Sequence, residues 1–579
     1  MKSILLPRIR SRTRIFALLS LLFFVHAFPT SVLAQEWDAF VDRYLNGYFE
    51  LHPDEAVKAG RHEFDGRLPD WSPAGLRKTA EYLHRNREEA ARFKHLNRGQ
   101  EFERQYLTAE IDRELFVLEK AHGPQRNPLF YLGLGSGLDP SVYITRKYAP
   151  AEVRLRGYTG FAQQIPQAVE NIKRNLRTPL PKTFVDVGRA VYGGMVGYLE
   201  KDVPAVFASV KNAQLQQEFA TANAAAVAAL RELTQWFESL RSTATDKFAL
   251  GPELFQQMLA DTERVTVPLA DLERVGKSDL ERNLKSLEEA CAKYAPGKTI
   301  SEAVELVRHR KPSGGPVAGA RQQLAGLKKF LIDKDLVTIP SPEEALVEES
   351  PPYARWNFAY INIPGPYEKG LPATYYIAPP DPSWSPAEQE AYLPAEVDLL
   401  FVSAHEVWPG HFLQYLHSNR SRSKFGQIFV GYAFAEGWAH YTEELMWEAG
   451  LGAGDPETHI GQLMNALLRN VRFVSAIGLH NGTMTVEQSE RMFREEAFVD
   501  PGNARQQAAR GTFDPAYLNY TLGKLMIMKL RDDWTKTRGG RKSWKAFHDE
   551  FLSRGGPPVP LIRAAMLGPE DQGPLFAEP

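Results

Sequence analysis

The chain has 579 residues, 43 % hydrophobic and 24 % charged, with a formal net charge of −2. That balance is ordinary for a soluble globular protein with a sizeable core, and it argues against a nucleic-acid surface, which calls for a clustered basic excess. The single cysteine, Cys291, excludes an internal disulfide, and a chain this large can be exported without one.

The first 34 residues read as a secretory signal. Lys2, Arg8, Arg10, Arg12 and Arg14 form a basic start, residues 15–28 form an apolar run, and Val32-Leu33-Ala34 precede Gln35. Cleavage after Ala34 places the mature protein in the periplasm or outside the cell without a stable membrane anchor, and takes the net charge from −2 to −7. An uncleaved anchor is the alternative, although the run is short for a span of about 20 residues. No cysteine follows the apolar run, so an acylation site is absent.

Beyond residue 35 the chain is expected to form one unit, with a helical N-terminal part over about 35–310 and a catalytic part over about 340–579. Residues 74–93, 107–121, 152–176, 215–240 and 271–294 carry apolar residues at three- and four-residue spacing, which predicts helices. Cys291 lies in the last of these as a buried, inert thiol. Residues 133–137 and 311–319 have turn chemistry. Residues 356–363 and 374–377 are aromatic and β-branched and end in Gly-Pro and Pro-Pro, which predicts two short strands. Ser385, Pro386 and Glu388 then form a helix start.

The chemistry begins at His405-Glu406-Val407-Trp408-Pro409-Gly410-His411. A zinc hydrolase needs neutral imidazoles for the ion and a carboxylate beside the attacking water. His-Glu-x-x-His supplies both because residues four apart share a helix face. Here the histidines are six apart, about 240° around a regular helix, so an uninterrupted helix points them away from each other. Pro409 and Gly410 offer a break that brings His411 back to the metal side. Two unrelated histidines flanking a helix end are the alternative. A second cluster follows in Glu436, His440 and Glu443, opposite an apolar stripe of Phe434, Trp438, Tyr441 and Leu445. It reads either as an amphipathic helix with a solvated acidic face, or as the source of a third ligand, Glu436, with Gly437 allowing close helix approach.

Over nearly the whole mature length the sequence resembles the bacterial family catalogued as domain of unknown function 885, grouped with the zincin metallopeptidases. The resemblance rests on Pro53, Ala56, Gly60, His62, Asp65, Leu68 and Asp70, and on His405-Glu406-x-x-Pro409-Gly410-His411-x-x-Gln414. It continues through Glu436-Gly437-Trp438-Ala439, Arg472, Gly478-Leu479-His480, Arg510 and Tyr520-x-x-Gly523. Ala476 stands where the family often has Asp, and Phe412 where it often has His. His440 is not a usual family feature.

The resemblance implies a mainly α, zincin-like helical body with a small β-sheet edge next to the active-site helix and a long cleft. It implies a Zn2+ cofactor held by His405, His411 and Glu436, with Glu406 as general base. His480, Arg510 and Tyr520 become candidates for binding the substrate or its oxyanion. The expected function is an exported zinc metallopeptidase acting on peptides, a carboxypeptidase or dipeptidase among its forms. Hydrolysis of a non-peptide amide and a non-catalytic peptide-binding role remain the alternatives. Ser421-Arg422-Ser423-Lys424 matches the Ser-x-x-Lys spacing of penicillin-recognising enzymes but lacks their Ser-Asp-Asn and Lys-Thr-Gly companions and reads as a charged loop.

Overall fold

The structure is a computed structural model that describes residues 28–133, 136–351, 355, 358–568, 570–571 and 573–577. Residues 1–27 of the expected signal lie outside this set. The first described helix, α1 (Phe28–Leu51), runs through the expected cleavage site. The chain is mainly α-helical with a small sheet, as its periodicity predicts. The helices expected at 74–93, 152–176, 215–240 and 271–294 form within a few residues of those bounds. Ser72 caps the first, its hydroxyl accepting from Gly75 N at 3.1 Å ahead of Pro73.

Two apolar cores divide the molecule. The first gathers Trp37, Phe40, Tyr44 and Tyr48 of α1 with the facing stripes of α2 (Ala151–Asn175) and α3 (Ala213–Leu240). The second takes Phe116 and most buried apolar residues from Phe255 to Phe576, among them the inner face of α4 (Leu269–Tyr294), while Phe425 and Phe429 belong to the first. Leu272, Leu280 and Leu287 of α4 belong to the second core, and Gly276 leaves room for the Phe473 ring, which a Cβ there would strike. Cys291 is buried in this core, and burial pushes its thiol up to about 11, which keeps it inert. Helix α5 (Pro316–Lys334) starts inside the stretch expected to be a turn.

The sheet has three strands where the pattern predicts two: β1 (Ala345–Glu349), β2 (Ala359–Asn362) and β3 (Ala373–Ile377), in the order β1-β3-β2. Trp356 and Asn357 of the first expected strand lie outside the described residues. β2 pairs antiparallel with β3, Ile361 opposite Tyr375, and β1 pairs parallel with Val347 opposite the same residue. β1 escapes sequence reading because only Val347 of Ala-Leu-Val-Glu-Glu is buried. The Ser385 cap forms as expected, with Glu388 bonding back to it.

Five elements then build the site: α6 (Glu396–Glu406), α7 (His411–Ser418), α8 (Tyr432–Glu448), α9 (Pro456–Asn481) and α10 (Asn519–Lys536). α4 packs along α9, and α8 along α10. Lys524 of α10, fully buried, joins them by bonding Asp279 at 2.8 Å and Glu444 at 3.1 Å. Among the described residues no helix is long and apolar enough to cross a membrane.

Candidate metal centre

The chain between the two histidines resolves the six-residue spacing. α6 ends at Glu406, Val407 leaves helical geometry at φ −124°, ψ −73°, and α7 begins at His411. Pro409 has no amide to offer the His405 carbonyl, so the ladder stops there. The Gly410 amide instead closes on Ala404 O at 2.9 Å. Gly410 is required by this close approach, because a Cβ would run into the His405 carbonyl oxygen. Trp438 Nε1 donates to Pro409 O at 2.9 Å and fixes the break against α8. The imidazole rings of His405 and His411 then lie 4.8 Å apart and nearly perpendicular, at 89°.

Glu436 enters from α8. Gly437 faces Gly523 of α10 so closely that a Cβ on either would meet the opposing backbone, so the backbones of α8 and α10 pack directly on each other. Glu436 Oε2 sits 3.3 Å from His405 Nε2 and 3.4 Å from His411 Nε2. This oxygen is buried yet makes no hydrogen bond. Donor atoms of all three residues fall within 4.8 Å of one another. Tetrahedral ligands about 2.0–2.1 Å from a zinc ion stand about 3.3 Å from each other. The donor set and the stranded Glu436 oxygen thus fit such an ion. Glu406 follows His405 in the chain, remains partly accessible, and has no hydrogen-bond partner among the described residues. Burial raises its carboxyl, and the His411 and His405 imidazoles oppose that rise.

A second carboxylate stands behind the ligands. Glu443, fully buried, accepts from His405 Nδ1 at 2.7 Å and from Arg469 Nη2 at 3.0 Å, and contacts His440 Nδ1 at 3.3 Å. Burial pushes its carboxyl up, but Arg469 and the two histidines outweigh that and hold it well below the usual range. With Nδ1 committed to Glu443, His405 turns its Nε2 towards Glu436, the nitrogen that would ligate an ion. Burial opposes the charged form of His405, yet the Glu436 and Glu443 carboxylates beside it hold it up at about 9. Burial pushes His440 down to about 4, so it stays neutral. α8 has no solvated acidic face: Glu443 and Glu444 are both buried. The orienting role of Glu443 was missed in the sequence, although it lies seven residues, two helical turns, from Glu436 on the same face. Arg469 had no local signal at all.

Tyr520 is brought to the centre. Its ring lies 6.2 Å from His405 at 18°, and 5.9 Å from Tyr432. Arg510 reaches the centre through that tyrosine: its Nε donates to Asp514 Oδ2 at 2.9 Å and its Nη2 to Tyr432 OH at 3.0 Å. His480 is not brought there. Its Nε2 donates to Gly511 O at 2.8 Å, its Nδ1 accepts from Leu250 N at 3.2 Å, and its ring stacks on Phe255. Burial pushes it down to about 4. With both nitrogens committed to backbone it pins the chain between the two cores, and the Gly511 carbonyl fixes its tautomer where Ala476 offers no carboxylate. Phe412, in place of a second histidine, packs edge-on to Trp408 beneath the break.

The family model described as "Bacterial protein of unknown function (DUF885)" matches residues 53–566. Two solved structures share the fold. One, described as a "putative lipoprotein of unknown function" from Shewanella oneidensis, has 24 % identity and a TM-score of 0.76, covering 92 % of this chain and 99 % of its own. The other, a "putative lipoprotein" from Colwellia psychrerythraea, has 17 % identity and a TM-score of 0.78, covering 92 % and 98 %. No curated protein matches.

Proposed function

The chain belongs to the DUF885 family, and from that premise we propose that it is a zinc-dependent metallopeptidase with His405, His411 and Glu436 as ligands and Glu406 as general base. The observation that carries this is Glu436 Oε2, a buried carboxylate oxygen without a hydrogen bond between two imidazole nitrogens at 3.3 and 3.4 Å. Buried polar atoms are otherwise almost always paired, and a cation is what this trio of donors lacks.

Zinc held by these residues supplies a Lewis acid for a carbonyl oxygen and for the attacking water. Glu406, free of protein bonds, takes the proton of that water and returns it to the leaving amine. Glu443 keeps His405 in the ligating tautomer. The Tyr520 hydroxyl, with no protein partner among the described residues, would donate to the carbonyl oxygen as charge develops. β2 is an edge strand beyond which no strand pairs among the described residues, and it offers backbone groups to an extended peptide by strand addition.

Export completes the proposal. It rests on the order of basic, apolar and small residues over 1–34, and it accords with the descriptions of the two similar structures as putative lipoproteins. Metal analysis of purified protein, followed by digestion of a peptide library with and without a chelator, tests the activity. About one zinc per chain and chelator-sensitive cleavage are expected. Cleavage that survives complete metal removal would sink the reading.

A further inference from the structure

Arg469 and Arg472 stand over the ring of Tyr520 and Arg510 bonds the neighbouring Tyr432, and only Arg469 and Arg510 have a carboxylate of their own. Arg469 is paired with Glu443 at 3.0 Å, and Arg510 with Asp514 at 2.9 Å. Arg472, on α9 one turn beyond Arg469, has no carboxylate within ion-pair distance among the described residues. Its Nε donates to Gln507 Oε1 at 2.9 Å, and its guanidinium carbon stands 4.9 Å from the Tyr520 ring centre. Its two terminal nitrogens have no protein partner, yet neither is among the sealed, unpartnered polar atoms of the interior. The residue is only 7 % exposed.

A buried guanidinium without a counter-ion is costly, and the face of one tyrosine ring offsets only part of that cost. Arg510 adds to it by like-charge repulsion; burial first and this neighbour second disfavour the charged form of Arg472. What the arrangement lacks is an anion, and the fork of terminal N–H groups suits a carboxylate held by two parallel bonds. Tyr520 spans the interval to the metal centre, with 6.2 Å from its ring to that of His405 and 4.9 Å to Arg472. One residue of extended chain covers roughly 3.3–3.6 Å. A carboxylate at Arg472 therefore lies one or two residues from a carbonyl at the ligand cluster.

We propose that Arg472 binds the free terminal carboxylate of the substrate, so that the site takes peptides by their C-terminal end and cuts one or two residues from it. This rests on the metallopeptidase reading for the cut, though not for the anion site itself. The bland alternative is that Arg472 only braces Tyr520. A brace would affect free-acid and amidated ligands alike, whereas an anion site acts on the free acid alone.

The test is calorimetric binding of an N-acetylated dipeptide, as free acid and as C-terminal amide, to the full chain before and after zinc loading. The wild type should bind the acid about ten- to a hundredfold more tightly than the amide, the range for one charged hydrogen-bonded pair. Arg472→Met should erase that ratio with unchanged zinc content, and Arg472→Lys should keep part of it while serving as the folded control if the methionine variant melts early. Equal binding of acid and amide by the wild type, or a ratio that survives in Arg472→Met, overturns the proposal. The two readings fail separately. A protein that holds zinc and cleaves amidated peptides as fast as free acids lacks this carboxylate site but keeps its metallopeptidase role. A protein that holds no zinc, yet loses acid preference in Arg472→Met, keeps the anion site and loses the metallopeptidase reading.

Discussion

At the scale of single residues, the proposed function gives three glutamates within reach of His405 three different tasks, and one substitution in each separates them. Glu406→Gln keeps the size of the side chain but removes its ability to accept a proton. Hydrolysis should fall about 10²–10⁴-fold, with zinc content and melting temperature near wild type, as read by peptide digestion and metal analysis. Glu436→Gln replaces an anionic ligand by a neutral one and should lose its zinc on dialysis. Equal metal loss in both variants would mean that this division of labour is wrong. Glu443→Gln leaves all three ligands in place but weakens the bond that orients His405 and leaves Arg469 with a neutral partner. Zinc affinity should then drop about 10–100-fold in competition with a chelator. Unchanged affinity would reduce Glu443 to a core ion pair.

At the scale of elements, the centre depends on how α6 stops and how α8 meets α10. Gly410→Ala puts a methyl group against the His405 carbonyl, so the turn must open and His411 must swing away. Zinc retention should be lost together with several degrees of melting temperature. Retained zinc in a folded Gly410→Ala protein would show that the break tolerates a Cβ. Away from the ligands, Lys524 holds α4, α8 and α10 together through Asp279 and Glu444, and Asp279 also accepts from Asn470 of α9 at 2.7 Å. Burial works against its charge, but the two carboxylates hold its ammonium above the ordinary lysine range. Lys524→Met takes the buried cation from between Asp279 and Glu444 and leaves both to the half-exposed Arg282, and breaking such a network by removing one partner costs about 3–5 kcal/mol. Chemical denaturation should register that loss, and a change under 1 kcal/mol would contradict it.

At the scale of the whole molecule, the N-terminal part is tied to the sheet region by one charged knot. His62 contacts Asp65 through Nδ1 at 3.0 Å and Glu368 through Nε2 at 3.2 Å, and the Tyr148 ring stacks on it at 3.5 Å. Tyr148 OH donates to Asp65 at 2.7 Å, and Arg146 to Glu368 at 2.8 Å. Burial disfavours the imidazolium, but the two carboxylate bonds outweigh it and push His62 up to about 9 from 6.5. A folded-state value above the free one means that the protonated ring stabilises the fold. That stability is fully present below about pH 6.5 and is lost as pH rises through about 9. Allowing for partial exposure, the loss should be about 1–2 kcal/mol. Urea unfolding at pH 6 and pH 9.5 should show this difference in the wild type and not in His62→Gln. Equal pH dependence in the two proteins would remove His62 from the knot's energetics.

The sequence by itself determined the elements whose cause is local. Apolar residues every three or four positions set the long helices, Ser72 and Ser385 set their starts, and Pro409-Gly410 set the break that the six-residue spacing demands. It also drew attention to His405, Glu406, His411 and Glu436, because a metal trio with a neighbouring base leaves a recognisable order of residue types. What only the tertiary structure decided depends on partners far away in the chain. β1 forms because Val347 finds Tyr375 across a parallel ladder, and α4 joins the second core because Gly276 admits Phe473. The same holds for charge. Glu443 becomes an orienting carboxylate only when α8 meets His405 and Arg469. His480 becomes a backbone pin only when Gly511 and Leu250 close on it. Arg472 is left without a counter-ion only because folding gives the nearby carboxylates, Glu443 and Asp514, to Arg469 and Arg510. Spacing along a chain encodes which face a side chain shares, whereas its partner, and therefore its charge state and role, is fixed by contacts that no local pattern records.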